Sequence, residues 1–247
     1  MRAARTGRIL LVDDLAMNLE IGEAMLRARG HEVRTAMSGL EAIDMVMEET
    51  FDVILLDINL PDLDGYEVAR AMRSSEPPGR RTPILALTAN ALPEQIARAL
   101  ASGMDGHIAK PIDERLLDDH LASVLAPGAA SSVTAHAGEN LRPLVDTLAA
   151  DTLRRLVGAE RLRRLDEDFW ASWRVFQERV ANRAEDKAWL MATSHDLVSL
   201  AGHVGYLRLA DACRSLSHLA SNDAADLGPA IGRTIEIGEE TRRAAQG

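Results

Sequence analysis

Short apolar runs alternate with helical patterns over the first half of the chain. Continuous apolar runs of strand length occupy residues 9–12 and 53–56, and a helical pattern that opens with a capping box follows Ser38. The alternation predicts strands at 9–12, 31–35, 53–56, 83–87 and 106–109, and helices near 15–29, 38–49, 64–74, 92–102 and 113–125. Apolar strands that alternate with helices predict an α/β fold, a doubly wound five-stranded parallel sheet covered by helices on both faces.

The second half of the chain lacks strand-length apolar runs and carries long helical patterns instead. These lie near 143–157, 160–182, 186–204, 207–221 and 226–245. Between Leu153 and Phe176 apolar residues recur at three-to-four spacing, as in a helix stripe that faces a core. We therefore predict an all-α helix bundle in which Trp170, Trp173 and Trp189 serve packing rather than ligand binding.

Residues 126–140 separate the two halves. They are small and polar, show no periodicity and include Pro127-Gly128, which is typical of a linker. The sequence thus predicts an α/β domain at 1–125, a linker at 126–140 and a helical domain at 141–247.

The composition argues against several partners and locations. The chain has 28 basic and 38 acidic residues, a formal net charge of −10, and 3% aromatic residues, which argues against direct binding of DNA or RNA. The single cysteine, Cys213, cannot form an internal disulfide, and no apolar run is long enough to span a membrane. Because a strand pattern begins directly after residues 1–5, we expect no signal peptide and a cytoplasmic protein.

Three aspartates stand where strands of the predicted sheet end. Asp13 and Asp14 follow the first strand and Asp57 follows the third. The carboxyl ends of parallel strands share one edge, where the crevice is the usual ligand site, so we expect the three carboxylates to lie close together. Their mutual repulsion raises their pKa values and destabilises the fold unless a cation neutralises it. An all-oxygen site of this kind suits Mg²⁺.

Thr88 and Lys110 follow the fourth and fifth strands and so belong to the same edge. The chain retains only two lysines among its 28 basic residues, Lys110 and Lys187. An aspartate nucleophile, a divalent ion, a hydroxyl and an ammonium together form a cradle for phosphoryl transfer. A lone aspartate at a strand end is usually a helix cap or loop residue, but the joint placement of these groups favours phosphoryl transfer.

Residues 8–125 resemble the receiver domain of bacterial response regulators over their whole length. The resemblance rests on Asp13-Asp14, Asp57-Ile58-Asn59-Leu60-Pro61 with Asp64-Gly65, Thr88-Ala89 and Lys110-Pro111. It implies a flavodoxin-like fold in which Asp57 accepts the phosphoryl group. It also implies that Asp13, Asp14, Asp57 and the backbone carbonyl of Asn59 hold Mg²⁺.

The same resemblance implies roles at the other strand ends. Lys110 would pair with one phosphoryl oxygen, Thr88 would hydrogen-bond another when the domain switches, and the Lys110–Pro111 bond would be cis. The family usually has Tyr or Phe three residues before the lysine, where this chain has His107. We hypothesise that His107 belongs to the switch and alters the choice of partner rather than phosphorylation. The alternative is a solvent-facing histidine on an edge strand.

One histidine of the helical domain has small neighbours. Ala192, Ser199 and Gly202 flank His195 on the same helix face. Glycine inside a helix costs about 1 kcal/mol relative to alanine. These small neighbours therefore predict a clearing around an accessible imidazole, which a concave acidic site could cover. The alternative is a structural histidine. The histidines at 31, 120, 136 and 218 look like surface or linker residues.

The segment 194–209 resembles the histidine phosphotransfer (HPt) domain, with Gly205 and Leu209 at its later glycine and leucine. The resemblance covers roughly residues 143–247 and implies a four-helix bundle with His195 as the phosphorylatable residue. Where the family commonly has Lys and then Gly, this chain has Val198 and Ser199. That lysine helps to hold the phosphoryl group.

These features predict a protein of a two-component phosphorelay. Asp57 would accept a phosphoryl group from a phosphohistidine, and His195 would pass phosphoryl groups to or from an aspartate. Because the sequence shows no P-loop and no kinase glycine box, the donor would be a sensor histidine kinase or another phosphohistidine protein. Further receiver or HPt proteins would act upstream or downstream. Two alternatives stay open, a receiver-switched adaptor whose bundle is not phosphorylated and a Mg²⁺-dependent phosphatase of small phosphoesters.

Overall fold

The computed structural model describes residues 6–89, 93–125, 143–184, 186–221 and 226–246. The chain folds as two compact units, Met1–His136 and Ala137–Gly247. The predicted linker at 126–140 lies outside the described residues. Within the described ranges, no helix combines the length and the apolar character that a membrane crossing requires.

The first unit is built around a five-stranded parallel sheet with the strand order β2-β1-β3-β4-β5. Its strands are β1 (Arg8–Val12), β2 (Glu32–Ala36), β3 (Val53–Asp57), β4 (Ile84–Thr88) and β5 (Gly106–Ala109). Its helices are α1 (Ala16–Ala28), α2 (Gly39–Glu48), α3 (Gly65–Ser75), α4 (Pro93–Ala101) and α5 (Glu114–Leu125). The predicted five-stranded parallel sheet of the flavodoxin-like type is confirmed.

The three central strands are buried on both faces. Every residue of β3 and β4 is buried, as is β1 after Arg8, which is why these segments are continuous apolar runs. The edge strands β2 and β5 keep exposed positions, so their patterns are weaker. The register pairs Asp57 with Leu87 and Thr88 with Ala109. The carboxyl ends of the strands are therefore aligned along one edge.

Side chains hold the start of α2 in place. Ser38 accepts a hydrogen bond from the N–H of Glu41 (3.2 Å), as the predicted capping box requires. Asp62, in the loop after β3, accepts from the N–H groups of Gly39 (2.9 Å) and Leu40 (2.8 Å). A carboxylate is favourable at a helix N-terminus. These bonds attach α2 to the loop that follows β3.

The described part of the second unit consists of five helices. They are α6 (Thr147–Val157), α7 (Ala159–Arg183), α8 (Lys187–His203), α9 (Leu207–Ser221) and α10 (Gly228–Gln246). The predicted helical character of this half is confirmed. The first helix begins at Thr147 rather than near 143 because Asp146 caps it, accepting from the N–H groups of Leu148 (3.0 Å) and Ala149 (3.2 Å).

Helix α8 is the most enclosed helix of the second unit. Every residue from 197 to 206 is buried, and α8 packs most extensively against α9. A helix buried around its circumference lacks the one-sided apolar stripe of a surface helix. The turn after α8 requires glycine, because Gly205 has a φ of +88°. The N–H of Asp146 donates to the carbonyl oxygen of Gly205 (2.7 Å) and so ties the start of α6 to this turn.

The tryptophans serve packing, as predicted. Trp173 on α7 is fully buried, and a Cβ on Gly238 of α10 would lie only 2.0 Å from its indole. Trp189 stacks on Phe176, with 6.1 Å between the ring centroids. Trp170 makes an edge-to-face contact with a neighbouring phenylalanine at 4.9 Å. Aromatic contacts therefore join α7 to α8 and α10.

Two histidines that the sequence analysis placed at the surface are buried. Nδ1 of His31 accepts a hydrogen bond from the N–H of Gly7 (3.1 Å), and Nδ1 of His120 lies 2.6 Å from the carbonyl oxygen of Leu116. The surface prediction is wrong for both, because a ring with a satisfied nitrogen can be buried like other polar groups. His136 lies outside the described residues.

Candidate functional site

Three carboxylates meet at the carboxyl edge of the sheet. Asp13 follows β1 directly, Asp57 is the last residue of β3, and each keeps 1% of its surface exposed. Asp14 is half-buried, and one carboxylate oxygen from each of the three lies within 4.8 Å of the others. Clustered carboxylate oxygens are the donor set that Mg²⁺ prefers. The residues present therefore fit a divalent cation.

The ammonium of Lys110 contacts two of these carboxylates. Its Nζ lies 2.7 Å from Oδ2 of Asp13 and forms a second ion pair with Oδ2 of Asp57, and the whole side chain is buried. The N–H of Lys110 donates to the carbonyl oxygen of Thr88 (2.8 Å), which continues the pairing of β4 and β5 by one residue. The Lys110–Pro111 bond is cis, as the resemblance implies.

Burial and repulsion between like charges govern the electrostatics of this site. The pKa of Asp14 lies above its ordinary value because the group is partly buried and faces Asp57 and Asp13. Burial also raises the pKa of Asp13, although Lys110 opposes the shift. Burial alone would lower the pKa of Lys110, but Asp57 and Asp13 raise it above its ordinary value and keep the ammonium charged. One ammonium thus faces three carboxylates, which leaves negative charge for a cation to neutralise.

Asn18 is a part of the site that the sequence analysis missed. It lies in the first turn of α1, is buried, and donates from Nδ2 to Oδ1 of Asp13 (2.8 Å). The N–H of Leu15 donates to the same oxygen (3.0 Å). Since Lys110 binds the other oxygen, the orientation of the Asp13 carboxylate is fixed. The available sequence indication was an asparagine on the apolar, core-facing side of a predicted helix.

The loop after Asp57 packs closely behind the carboxylate. The N–H of Asn59 donates to Oδ1 of Asp57 (3.2 Å), which places Asn59 beside the cluster. The N–H of Gly65 donates to the carbonyl oxygen of Ile58 (2.9 Å). A Cβ on Gly65 would lie 2.3 Å from the carbonyl oxygen of Asp57, so glycine is required for α3 to begin this close to β3.

Thr88 and His107 lie on the neighbouring strands β4 and β5. Thr88 is buried, and its Oγ1 donates to Oε1 of Gln95 on α4 (3.4 Å). His107 is half-buried, and its pKa lies below the ordinary value because of burial and, to a smaller extent, the charge of His120. His107 keeps part of its surface exposed, so the switch hypothesis and the solvent-facing alternative both stay predictions.

His195 lies on α8 in the second unit and is buried, with 8% of its surface exposed. Of its three small neighbours, Ser199 and Gly202 are buried and only Ala192 is exposed. The predicted clearing around the imidazole is therefore wrong, because small side chains also allow the close helix packing in which α8 takes part. Val198, at the position where the HPt family has lysine, is fully buried.

Comparison with known proteins identifies the first unit. The model of the response regulator receiver domain matches residues 9–122. The sensor protein GacS of Pseudomonas syringae pv. syringae is 38% identical over 117 residues, which cover 47% of this chain and 13% of that protein. The aerobic respiration control sensor protein ArcB of Escherichia coli O157:H7 is 28% identical over 209 residues, which cover 81% of this chain and 26% of that protein.

A solved structure also matches this part of the chain. The receiver domain of the sensor histidine kinase PA1611 from Pseudomonas aeruginosa PAO1, crystallised with a magnesium ion in its active site cleft, is 40% identical. The match covers 49% of this chain and 98% of that chain, with a TM-score of 0.45. This chain spans 13% and 26% of the lengths of GacS and ArcB, so its matches are to parts of much longer proteins. Residues 9–122 are therefore a response regulator receiver domain, homologous to segments of sensor kinases of two-component systems.

Proposed function

We propose that the chain accepts phosphoryl groups in a two-component phosphorelay and that Asp57 is the acceptor. The observation that carries this proposal is the buried ammonium of Lys110, which contacts both Asp13 and Asp57. An oxygen of Asp57 attacks the phosphorus of a phosphohistidine. The P–N bond breaks as the P–O bond forms, and the donor imidazole leaves with the electron pair and takes a proton from water. A sensor histidine kinase or another phosphohistidine protein supplies the phosphoryl group.

Lys110 acts by position and charge. Its ammonium already contacts the Asp57 carboxylate, so it can compensate the negative charge that a phosphoryl group brings without any rearrangement of the backbone. A compact ammonium serves as a point charge in this narrow space, whereas a planar guanidinium does not. Thr88 ends the adjacent strand, and its hydroxyl would hydrogen-bond a second phosphoryl oxygen.

Asp13, Asp14 and Asp57, together with the backbone carbonyl of Asn59, would hold Mg²⁺. The close carboxylate oxygens and the raised pKa of Asp14 support this assignment. When bound, the ion neutralises the oxygens of the transferring group as a Lewis acid. Asn18 and Lys110 fix the Asp13 carboxylate from two sides, so this ligand is already oriented.

A labelling experiment tests the proposal. The chain is incubated with Mg²⁺ and a radiolabelled acyl phosphate such as acetyl phosphate. We expect a label on the wild type that hydroxylamine removes, as an aspartyl phosphate requires, and no label on Asp57→Asn. Asp119→Asn, at an exposed aspartate of α5, is the matched control and should label like the wild type. Equal labelling of Asp57→Asn contradicts the proposal, and Asp57-dependent turnover of a generic phosphoester favours the phosphatase alternative.

We also propose that the second unit relays phosphoryl groups through His195. The resemblance of segment 194–209 to HPt domains supports this role. Because His195 is buried, the proposal requires that α8 becomes accessible before transfer.

One observation favours the adaptor alternative for the second unit. Val198 is fully buried where a phosphoryl-holding lysine would stand, and His195 is nearly so. A phosphotransfer time course from a phosphorylated receiver decides between the two, with wild type, Asp57→Asn and His195→Gln compared side by side. An acid-labile, base-stable label that His195→Gln abolishes supports the relay, and His218→Gln on α9 serves as the control. A wild type without such a label is the outcome that the adaptor predicts.

A further inference from the structure

The outer face of α2 carries large apolar side chains that are open to solvent. Met47 is 70% exposed, Leu40 is 58% exposed, and Met37, which precedes the N-cap residue Ser38, is 50% exposed. Leu40 and Met47 are seven residues apart, close to two helical turns, so both lie on the same side of α2. Contiguous exposed apolar groups on a folded domain mark an interaction site more often than scattered ones.

These side chains are not needed for the core of the first unit. The side of α2 that bears Ala42 and Val46 supplies the packing, where Ala42 is buried and Val46 packs against the core cluster. Ile43, which lies between Leu40 and Met47 along the helix, is half-buried against the same cluster. Leu40 and Met47 point away from these contacts, as their exposure shows. Their apolar character therefore has no explanation in the packing of this unit.

The apolar face is flanked by acidic side chains without basic counterparts. Helix α2 contains Glu41, Asp44 and Glu48, all exposed, and no lysine or arginine. Within the described residues Asp44 and Glu48 form no ion pair, whereas the next acidic residue, Glu49, pairs with Arg8 and Arg34. The charges of Asp44 and Glu48 are thus not compensated by an ion pair within the described residues, whereas the Glu41 carboxylate accepts from the N–H of Met37 (2.7 Å) and the Glu49 carboxylate is paired.

We propose that this face docks an amphipathic helix of a partner protein, with an apolar stripe flanked by lysine or arginine. We call it the α2 surface and define it as Met37, Leu40 and Met47 together with Glu41, Asp44 and Glu48. Exposed methionines adapt to varied apolar partners. An amphipathic helix binds such a surface by placing its apolar face against it. Charge complementarity decides the class of occupant. A second α2 surface, nucleic acid and anionic lipid all carry negative charge and are disfavoured.

The α2 surface is joined to the phosphoacceptor loop. Asp62, five residues after Asp57, binds the N–H groups of Gly39 and Leu40 at the start of α2. A Cβ on Gly39 would lie 2.5 Å from Val68 on α3, so the junction is tight. A partner on this surface would therefore contact the helix that the loop holds. The docking proposal does not depend on phosphorylation of Asp57.

Titration of the whole chain with a synthetic amphipathic Leu/Lys peptide, followed by fluorescence anisotropy of the labelled peptide, tests this proposal. We expect saturable binding that weakens with added salt. Leu40→Ser combined with Met47→Ser should bind about tenfold more weakly, since central apolar contacts carry most of such binding. Asp44→Asn combined with Glu48→Gln should also bind more weakly and lose part of the salt dependence.

Matched controls separate this surface from general attraction to an acidic protein. Leu100→Ser removes an apolar side chain that is 53% exposed on α4, and Asp119→Asn removes an exposed charge from α5, so neither should change binding. Two control peptides should bind weakly: one with the same Leu/Lys composition in an order that is not amphipathic, and a Leu/Glu peptide. The proposal is overturned if Leu100→Ser loses as much affinity for the Leu/Lys peptide as the α2 variants do. It is also overturned if the Leu/Glu peptide binds as tightly as the Leu/Lys peptide. Asp57→Asn should bind like wild type, so failure of the phosphoacceptor assignment is a separate result.

Discussion

Arg98 on α4 forms an ion pair with Asp64 at the start of α3, with 2.7 Å between Nη2 and Oδ2. Asp64 caps α3 by accepting from the N–H of Tyr66 (3.0 Å), and the Arg98 guanidinium also lies over the Tyr66 ring, 4.1 Å from its centroid. A single arginine therefore ties α4 to the helix that begins against the carbonyl of Asp57.

Arg98→Ala should lower the free energy of unfolding of the first unit by at most about 2 kcal/mol, because the ion pair and the cation–π contact of this largely exposed guanidinium each contribute at most about 1 kcal/mol. Arg98→Lys keeps the charge but loses the planar stacking, so its loss should be smaller. Urea unfolding followed by far-UV circular dichroism measures both. All three tryptophans lie in the second unit, so their fluorescence identifies that unit's transition. An unchanged first-unit midpoint in Arg98→Ala would mean that the contact contributes nothing.

Two glycines of α10 provide a matched pair for the packing of the second unit. A Cβ on Gly238 would meet the buried indole of Trp173 at 2.0 Å, whereas a Cβ on Gly232 would have no atom within 4 Å. Gly238→Ala should therefore destabilise the unit by about 1–3 kcal/mol through overpacking. Gly232→Ala should stabilise it by up to about 1 kcal/mol through helix propensity. Urea unfolding followed by tryptophan fluorescence checks both, and a stabilising Gly238→Ala would show that α10 does not pack there as described.

The sheet and its acidic edge could be predicted because their sequence patterns are local. The central strands are buried on both faces, so they are continuous apolar runs, and Asp13 and Asp57 are the polar residues that end them. What the sequence could not supply were partners distant along the chain. Asp62 reaches the start of α2, and Arg98 reaches Asp64, through side-chain contacts that leave no periodic pattern.

At His195 the prediction failed for a different reason, because the local pattern of small residues was compatible with two structures. Small residues one and two turns away, Ser199 and Gly202, can clear a surface or let a second helix approach closely. Helix α8 has no exposed face over 197–203, so its burial could not be recognised from amphipathicity. The buried histidines His31 and His120 were missed for a related reason, since in each ring Nδ1 is bound to a backbone group, a partner that the sequence pattern does not reveal.

His107 should make the first unit sensitive to mild acid. Burial holds its pKa below the ordinary 6.5, so the unfolded chain binds the proton first as the pH falls. Stability is then fully present above pH 6.5 and is lost as the pH falls towards the lower folded pKa. His107→Tyr should reduce this loss, measured as Tm at a series of pH values. His31, whose pKa burial also lowers, contributes equally to both proteins, so parallel curves would contradict the prediction.

The same variant tests the role of His107 in the switch. If this residue alters the choice of partner rather than phosphorylation, His107→Tyr should accept label on Asp57 at the wild-type rate while its affinities for partner proteins change. Labelling by acetyl phosphate measures the first quantity, and pull-down with candidate HPt and receiver proteins followed by titration measures the second. A variant that keeps every partner unchanged counts against the hypothesis.

The Asp14 carboxylate should lower the free energy of unfolding without Mg²⁺ and raise it when Mg²⁺ is bound. Without the ion, its raised pKa means that the charged form is disfavoured in the folded state, by burial and by Asp57 and Asp13. Asp14→Asn should then be more stable than wild type at pH 7, and the difference should vanish as the pH falls towards the ordinary carboxyl pKa of 3.8.

With Mg²⁺ at a hundredfold excess over its Kd, the wild type should gain about 2.7 kcal/mol, and Asp14→Asn should gain less because one ligand is lost. The order of the two proteins therefore reverses between EDTA and Mg²⁺. Thermal unfolding in each buffer measures it, with Asp119→Asn, at a carboxylate remote from the cluster, as the control that responds like wild type. Equal stabilisation of Asp14→Asn and wild type by Mg²⁺ would remove Asp14 from the ligand set. A less stable Asp14→Asn in EDTA would show instead that its carboxylate is not repelled by Asp13 and Asp57.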